Sequence, residues 1–178
     1  MNEFASQYGK ALYSLCKDDG KCEKILEELT LIEDILEENP EYKNLIDTPA
    51  LKLEERLKLI DEAFSTLDEI LVNFIKILSS KKLFKEFSEC KKEYIKNYDR
   101  DNNVERVTAI TAVPLTDAQL SSLKKKIELS LKKTVCIKNE ISADIIGGVI
   151  LRYAGSMTDG SIKGRLKDME DCLKSVKF

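Results

Sequence analysis

The chain has 178 residues, of which 43% are hydrophobic and 34% are charged, and its 29 basic and 32 acidic side chains give a net charge of −3. It contains no histidine, which excludes Ser-His-Asp and Cys-His catalysis and any zinc site with histidine ligands. The longest run without a polar side chain, 145–151, is far shorter than the ~20 residues of a membrane-spanning helix.

Charge and glycine are unevenly distributed along the chain. Residues 1–80 carry 9 basic and 18 acidic side chains, whereas residues 81–178 carry 20 basic and 14 acidic. No glycine occurs between Gly20 and Gly147, and five lie from Gly147 to Gly164. The pattern predicts two units with different partners, although solvated helix faces of different sign would produce the same charge division.

The cysteines indicate reduced thiols. They are odd in number and include no C-x-x-C pair, and no signal-peptide pattern opens the sequence, so we expect a cytosolic type of compartment. A catalytic cysteine needs a base beside it, and no histidine is present to serve as one. The five are Cys16, Cys22, Cys90, Cys136 and Cys172.

Helical periodicity runs through the first hundred residues. In the first helix, from Phe4 to Cys16, the apolar side chains recur at spacings that place them on one helix face. Further helices are predicted, each bounded by proline, glycine or polar residues. Their ranges are 23–38, a short piece between Pro40 and Pro49, 53–64, 70–78 and 83–98.

The predicted helix 70–78 differs from the others. Seven of its nine residues are apolar, and only Asn73 and Lys76 are polar. A helix that is apolar nearly all round is either central in a fold or gives one face to a partner. Together the helices predict a compact antiparallel helical bundle. The polar run from Asp99 to Asn103 is interpreted as a hinge, with a stiff extension as the alternative.

The last 75 residues predict a small α+β unit. Alternating β-branched residues favour a strand over 104–113, and Thr116 with Gln119 has the form of a helix capping box. Strands are also predicted over 134–141 and 149–154, with a turn at Gly147-Gly148 between them, and a final helix follows Asp159-Gly160. The predicted order is β-α-β-β-α, so the whole chain is mostly α with a small α+β part.

No motif predicts an enzyme, a cofactor site or a metal site. The segment 155–161 nearly has P-loop spacing, but Ser161 and Ile162 stand where that loop needs lysine and a hydroxyl residue. Lysines 124–126 have no interleaved aromatic residue for stacking on nucleic acid. Two interpretations remain from the residues themselves: a helical adaptor with a surplus apolar face, or an anion- or nucleic-acid-binding module in the basic half.

Four segments resemble the delta subunit family of the rotary F-type ATP synthase, whose mitochondrial counterpart is the oligomycin-sensitivity-conferring protein. They are 8–15, 73–78 together with Leu83, 144–149 and 159–166. Gly9 departs from the alanine that is usual after the amino-terminal tyrosine. The carboxy-terminal pair of motifs is the most specific part, and its residues, mainly structural in role, are Asp144, Gly147, Gly148, Asp159, Gly160, Ser161, Arg165 and Leu166.

The resemblance implies a noncatalytic stator subunit that couples rotation to ATP synthesis and proton transport, and that needs no cofactor, metal, nucleic acid or small-molecule substrate. It implies that residues 1–103 form an antiparallel six-helix bundle that binds amino-terminal segments of the alpha subunits. Residues 104–178 would form a domain that contacts the peripheral-stalk b subunits. The complex would hold the chain peripherally at the cytoplasmic face of the bacterial plasma membrane.

The expected alpha-subunit interface lies on the first helix and on the apolar helix 70–78. An incoming amphipathic helix would lie in a groove between these two. Packing of the bundle core would account for many of the same apolar positions. The predicted interface residues are Tyr8, Ala11, Leu12, Leu15, Phe74, Ile77 and Leu78.

Overall fold

A computed structural model describes residues 3–47, 51–153 and 155–175. Within these ranges the chain is mostly helical, with one small mixed sheet, and it divides into two compact units, Met1–Tyr98 and Asp99–Phe178. The first unit is helical. Its elements are α1 Glu3–Asp18, α2 Cys22–Glu38, α3 Pro40–Asp47, α4 Leu53–Ala63, α5 Glu69–Ser80, a 3₁₀ turn Phe84–Glu86, and α6 Phe87–Asp101, whose last turn belongs to the second unit.

The helix boundaries follow from local sequence signals. Asp68 caps α5, because its carboxylate accepts the backbone N–H of Ile70 at 3.2 Å. Gly20, two residues after the end of α1, adopts a left-handed φ of +67°. This conformation is unfavourable for residues that carry a Cβ atom. Asn39 ends α2, and both its backbone N–H and its side-chain amide donate to the carbonyl of Ile35.

A continuous apolar core fills the first unit. Leu29 of α2 and Leu71 and Ile75 of α5 have no exposed surface. Tyr94 is also fully buried; its hydroxyl donates to the carbonyl of Cys22 at 3.0 Å, and its ring packs edge-on against Tyr13 with centroids 5.5 Å apart. Polar tips of large buried side chains need such a partner.

The described cysteines are free thiols. Burial raises the pKa of Cys16 to about 11, and burial likewise raises the pKa of Cys90 to about 11. Both thiols are therefore protonated at neutral pH, and a protonated buried thiol packs as a small apolar group. Cys16 and Cys90 therefore act as packing residues of the core.

The predicted hinge at Asp99–Asn103 is helical over its first three residues, which form the last turn of α6. Asn103 then turns the chain with a φ of +53°. Arg106 in the following strand donates to both carboxylate oxygens of Asp99, at 2.6 and 3.0 Å. A two-bond guanidinium–carboxylate pair fixes orientation as well as distance, so this part of the second unit has a defined conformation.

The second unit is a four-stranded sheet with two helices. Its elements are β1 Val104–Thr111, α7 Asp117–Leu131, β2 Thr134–Ile141, β3 Val149–Tyr153, β4 Ser156–Asp159 and α8 Ile162–Ser175. The strand order is β2-β1-β3-β4, with β1 parallel to β2 and the other two pairings antiparallel. Val107, Ile127 of α7 and Val135 form its buried cluster.

The capping box that begins α7 is confirmed, since Thr116 accepts the N–H of Gln119 and the Gln119 side chain accepts the N–H of Thr116.

The predicted order β-α-β-β-α, in contrast, lacks one strand. Residues 156–159 are not a loop before the last helix but β4, which pairs with β3 from Ile150↔Asp159 to Tyr153↔Ser156. The predicted strand 104–113 ends at Thr111, and the predicted last residue of β3, Ala154, lies outside the described residues.

Candidate partner-binding surfaces

Helix α1 has two apolar faces rather than the single one that the sequence predicts. Leu12 and Cys16 are buried in the core. Phe4, Tyr8, Ala11 and Leu15 lie on an adjacent face at spacings of 4, 3 and 4 residues; Tyr8 is half-buried and the other three are exposed. We call these four residues the α1 stripe. Such spacing forms a continuous seam along a helix, which is the pattern that packs against a second helix.

Helix α5 is largely buried, which is one of the two alternatives for a helix that is apolar nearly all round. Leu71, Val72, Phe74, Ile75 and Leu78 are all buried, and Ile77 alone of its large apolar residues is strongly exposed, at 46%.

The seven predicted interface residues therefore occupy three environments. Ala11, Leu15 and Ile77 are exposed, Tyr8 is half-buried, and Leu12, Phe74 and Leu78 lie in the core. Phe4 was missed as a surface residue because periodicity assigned it to the same face as Leu12.

Gly9 brings α1 close to α6. A Cβ atom at this position would lie 2.5 Å from the carbonyl oxygen of Cys90 and 3.0 Å from the Cβ of Glu93. Real Cβ atoms do not approach a carbonyl oxygen this closely, so a larger residue would force the two helices apart. The unusual glycine that the sequence shows after Tyr8 thus has a packing reason, and it holds the helix that carries the α1 stripe.

The two carboxy-terminal motifs meet in space. The carbonyl of Gly147 accepts the N–H of Ile162 at 3.0 Å, and the carbonyl of Val149 accepts the N–H of Gly160 at 3.0 Å. Gly148 has a φ of +88°. The sequence separates these segments by about ten residues, and the β3–β4 hairpin returns the chain so that they pair.

The second motif also builds the beginning of α8. Asp159 accepts the N–H of Ser161 at 2.8 Å, and the Ser161 hydroxyl accepts the N–H of Gly164 at 3.0 Å. The hydrogen bonds from Ser161 lower the pKa of Asp159, which keeps this carboxylate ionised. A Cβ on Gly164 would lie 2.8 Å from the Asp159 carboxyl group. The motif is therefore a helix-capping device, while Asp144 and Arg165 are exposed.

Helix α8 carries an exposed apolar face. Ile162, Leu166 and Met169 recur at spacings of 4 and 3 residues and are each at least half exposed. We call them the α8 stripe. Ile146 is also exposed, and it immediately precedes Gly147, whose Cβ position would touch the Ile162 side chain at 3.0 Å. Contiguous exposed apolar side chains of this kind mark interaction surfaces.

In the part of the chain that the structure describes, no three histidine, cysteine or acidic residues are grouped so that they could hold a metal ion. None of the described helices is long and apolar enough to cross a membrane. The P-loop-like segment is largely occupied by β4. It forms an edge strand, and the N–H groups of Gly160 and Ser161 donate to Val149 and Asp159, so it does not form a phosphate-binding loop.

Comparison with known proteins identifies the family. The family model described as the ATP synthase delta (OSCP) subunit matches residues 4–173. The ATP synthase subunit delta of Alkaliphilus metalliredigens is 30% identical over 173 residues, which cover 97% of this chain and 96% of that protein. That of Acetivibrio thermocellus is 31% identical over 170 residues, covering 94% and 96% respectively. The chain belongs to the ATP synthase delta (OSCP) family.

A solved structure shares the fold of this chain. A chain in the structure of the Toxoplasma gondii mitochondrial ATP synthase hexamer superposes with a TM-score of 0.74 and 17% sequence identity, over 99% of this chain and all of that chain. As a delta subunit, this chain is a noncatalytic component of the stator, and it links the catalytic head to the peripheral stalk. The resemblance stated from the sequence is confirmed.

Proposed function

We propose that the α1 stripe and Ile77 bind alpha-subunit amino-terminal segments, and that the α8 stripe binds the peripheral-stalk b subunits. These are the two contacts that the delta subunit makes within the ATP synthase. Residues 1–103, with their six helices as an antiparallel bundle, form the part that holds the head. Residues 104–178 form the part that holds the stalk. Together they resist the torque of rotation from the cytoplasmic face of a bacterial plasma membrane.

The exposed apolar face of α1 is the observation that supports the head contact. The adjacent face of α1 is already used by the core, because Ala5, Leu12 and Cys16 are buried. In the α1 stripe, Phe4 and Leu15 are each 58% exposed and are not among the buried core residues. Covering Phe4 and Leu15 with a partner helix removes apolar surface from water, and each such side chain contributes roughly 1.5 to 3 kcal/mol when fully buried.

Leu12, Phe74 and Leu78 are core residues, so their contribution to the proposed surface is indirect. Leu78 has no exposed surface, and Leu12 and Phe74 have almost none. Their role in the proposal is to fix the positions of α1 and α5. A partner helix would contact Leu15 and Ile77 directly, because these side chains reach solvent.

The α8 stripe supports the stalk contact by the same reasoning. The two carboxy-terminal motifs fix the start of α8 through backbone contacts and a serine cap. The helix so positioned exposes Ile162, Leu166 and Met169. A rigid start and an apolar outer face are what a helical stalk segment needs for docking.

The head contact is tested with a pair of matched leucines. Leu15 on α1 is 58% exposed and Leu31 on α2 is 50% exposed, so an aspartate at either position should leave folding intact. We expect Leu15→Asp to weaken binding of a synthetic alpha-subunit amino-terminal peptide at least tenfold, because a charge would be buried at the contact. Leu31→Asp should bind the peptide as the unchanged chain does. Isothermal titration calorimetry measures both affinities.

Circular dichroism establishes that both variants are folded before the affinities are compared. Equal peptide affinity in the folded Leu15→Asp and Leu31→Asp variants would show that the α1 stripe is not the head contact.

A further inference from the structure

A small apolar cleft lies where α2 ends, α3 begins and α4 ends. It encloses about 180 Å³ and is lined, among the described residues, by Ile35, Asn39, Tyr42, Ala63 and Phe64. A wider open groove of about 540 Å³ adjoins it and shares Asn39 and Tyr42. The α1 and α8 stripes contribute none of these lining residues, so the proposed head and stalk contacts do not account for the cleft.

The walls of the cleft are held in place. The Tyr42 hydroxyl donates to the carbonyl of Leu59 at 3.1 Å, and its ring packs edge-on against Phe64 with centroids 6.1 Å apart. Asn39 is held by its side-chain bond to the carbonyl of Ile35 at 2.9 Å. Phe64 itself is almost fully buried. A cleft with fixed walls binds without first reorganising, which favours affinity.

The size of the cleft limits what enters it. An apolar cavity of about 150 Å³ in a protein core accepts one benzene molecule, whereas sites for drug-sized ligands are roughly 300 to 1,000 Å³. The 180 Å³ cleft therefore fits a single phenylalanine- or leucine-sized side chain. Leu45, an exposed leucine in the adjoining groove, extends the apolar surface beside the entrance.

The rim of the site is acidic. Glu38 and Glu41 line the adjoining groove, and neither carboxylate makes a hydrogen bond or ion pair with another residue that the structure describes. No basic side chain is among the described residues that line the cleft or the groove. A positively charged segment that brings one apolar side chain to the cleft would meet complementary charge at its edge.

The position of Glu38, unlike that of Glu41 in the first turn of α3, is unfavourable for the helix that carries it. Glu37 and Glu38 are the last two residues of α2, whose last turn has no basic residue. The carboxyl end of a helix bears a partial negative charge, so acidic side chains there destabilise it. Residues that are unfavourable for their own secondary structure are found mainly at functional sites in natural proteins.

We infer that this cleft is a docking site for a basic segment of a partner protein, which inserts one phenylalanine or leucine side chain beside Tyr42. The apolar walls determine the size of the inserted group. Glu38 and Glu41 select the flanking positive charges. The site lies entirely within the helical unit and does not depend on the assignment of the head or stalk contact.

The test uses three short peptides and the full chain labelled with nitrogen-15. The first has a phenylalanine with two lysines on each side, the second replaces the phenylalanine with alanine, and the third replaces the lysines with glutamates. We expect the first to shift the amide resonances of Tyr42 and Ala63 saturably, with at least about tenfold higher affinity than either of the others. Raising the salt concentration should weaken its binding.

Matched variants separate the apolar and charged parts of the site. Ala63→Leu fills the cleft from its wall and should abolish the preference for phenylalanine over alanine. The double change Glu38→Gln and Glu41→Gln should weaken the lysine peptide by about threefold or more. Glu23→Gln with Glu27→Gln removes the same charge from exposed positions nearer the start of α2, and this control should leave the affinity unchanged.

Three results would each overturn the inference. One is equal affinity for the phenylalanine and alanine peptides on the unchanged chain. Another is an absence of shifts at Tyr42 and Ala63 when the peptide saturates. The third is a shift of these resonances with protein concentration alone, which would identify a second copy of the chain as the occupant.

Discussion

A Cβ atom on Gly148 would lie 2.5 Å from the carbonyl oxygen of Gly160 and 2.8 Å from the Cα of Ser161. The two carboxy-terminal motifs are thus in direct backbone contact, at the point where the chain enters α8. This contact explains why glycine is needed at a position that carries no chemistry. Gly148 allows the backbone contact that positions the start of α8, whose exposed face is proposed to bind the stalk.

Replacing this glycine should disrupt the second unit. We expect Gly148→Ala to destabilise it by about 2 to 4 kcal/mol, because the new methyl group meets backbone and the φ of +88° is unfavourable for alanine. Gly155 has a similar φ of +76° but nothing within 4 Å, so Gly155→Ala should cost only about 1 kcal/mol. Hydrogen–deuterium exchange of the β3 and β4 amides measures the destabilisation in each variant. Equal exchange rates in the two variants would show that Gly148 does not contact the Gly160 backbone closely.

The close approach of α1 to α6 predicts that a better helix former will destabilise the chain. Alanine at position 9 gains about 0.5 to 1 kcal/mol in helix propensity, but its Cβ would meet the Cys90 carbonyl at 2.5 Å, and overpacking costs about 1 to 3 kcal/mol. We expect Gly9→Ala to lower the free energy of unfolding, measured by urea titration. As a control, Ser14→Ala at an exposed α1 position should raise the free energy of unfolding slightly. If Gly9→Ala raised it as well, α1 would not be held against α6.

The carboxylate of Asp68 predicts a dependence of stability on acid pH. Hydrogen bonds from Lys21, Lys24 and the Ile70 amide lower its pKa from 3.8 to about 2. Because the pKa is lowered in the folded state, the stabilisation is present above about pH 4 and is lost as the pH falls towards 2. Asp68→Asn retains the helix cap but removes the charge, and should cost up to about 2 kcal/mol at neutral pH.

Urea titrations of both proteins at about pH 7, 4 and 2 measure this effect. The difference in the free energy of unfolding between the unchanged chain and Asp68→Asn should shrink as the pH falls. A difference that stays constant across the series would show that the charge of Asp68 does not stabilise the fold.

The α8 stripe predicts a selective loss of stalk binding. Leu166 is 60% exposed on α8, and Leu129 is 81% exposed on α7, so both tolerate aspartate without loss of a packed side chain. We expect Leu166→Asp to reduce the recovery of b subunits from detergent-solubilised membranes, with Leu129→Asp behaving as the unchanged chain. Peptide binding to the α1 stripe should be the same in both variants. Loss of stalk binding in Leu129→Asp alone would place the contact on α7 instead.

Amphipathic periodicity predicts buried faces well where a helix has one apolar side. In α2 the apolar residues Ile25, Leu29, Ile32 and Leu36 recur at helical spacing on one face, and all four are buried. The same reasoning fails for α1, where the pattern placed Phe4 and Leu12 on one face although they are about 80° apart around an ideal helix. Only the packing of neighbouring helices determines which part of a wide apolar face is covered.

Helix α5 shows a second limit of sequence reasoning. Its composition predicts a central position or an exposed partner face, and these alternatives cannot be separated by periodicity. The structure buries Phe74 and Leu78 and exposes Ile77. Which residues of the candidate surface reach solvent therefore depends on contacts between residues far apart in the chain.

Strand β4 was missed because its stability is not local. Its four residues, 156–159, are all exposed and show no apolar alternation. They become a strand because β3 supplies an antiparallel partner across a short turn at Gly155. The motif residues on either side were recognised, but their role as a hairpin and cap follows only from the pairing register.

The second unit has few buried apolar residues within the part of the chain that is described: Val107, Ala109, Ile127, Val135 and Ile145. A unit with so few fully buried side chains gains little free energy from folding alone. Any protein that covers the α8 stripe binds the folded form and not the unfolded one, so its binding energy adds to folding stability by mass action. The melting temperature of this unit should therefore rise with the concentration of its stalk partner, and assembly of the complex would complete the folding of its subunit.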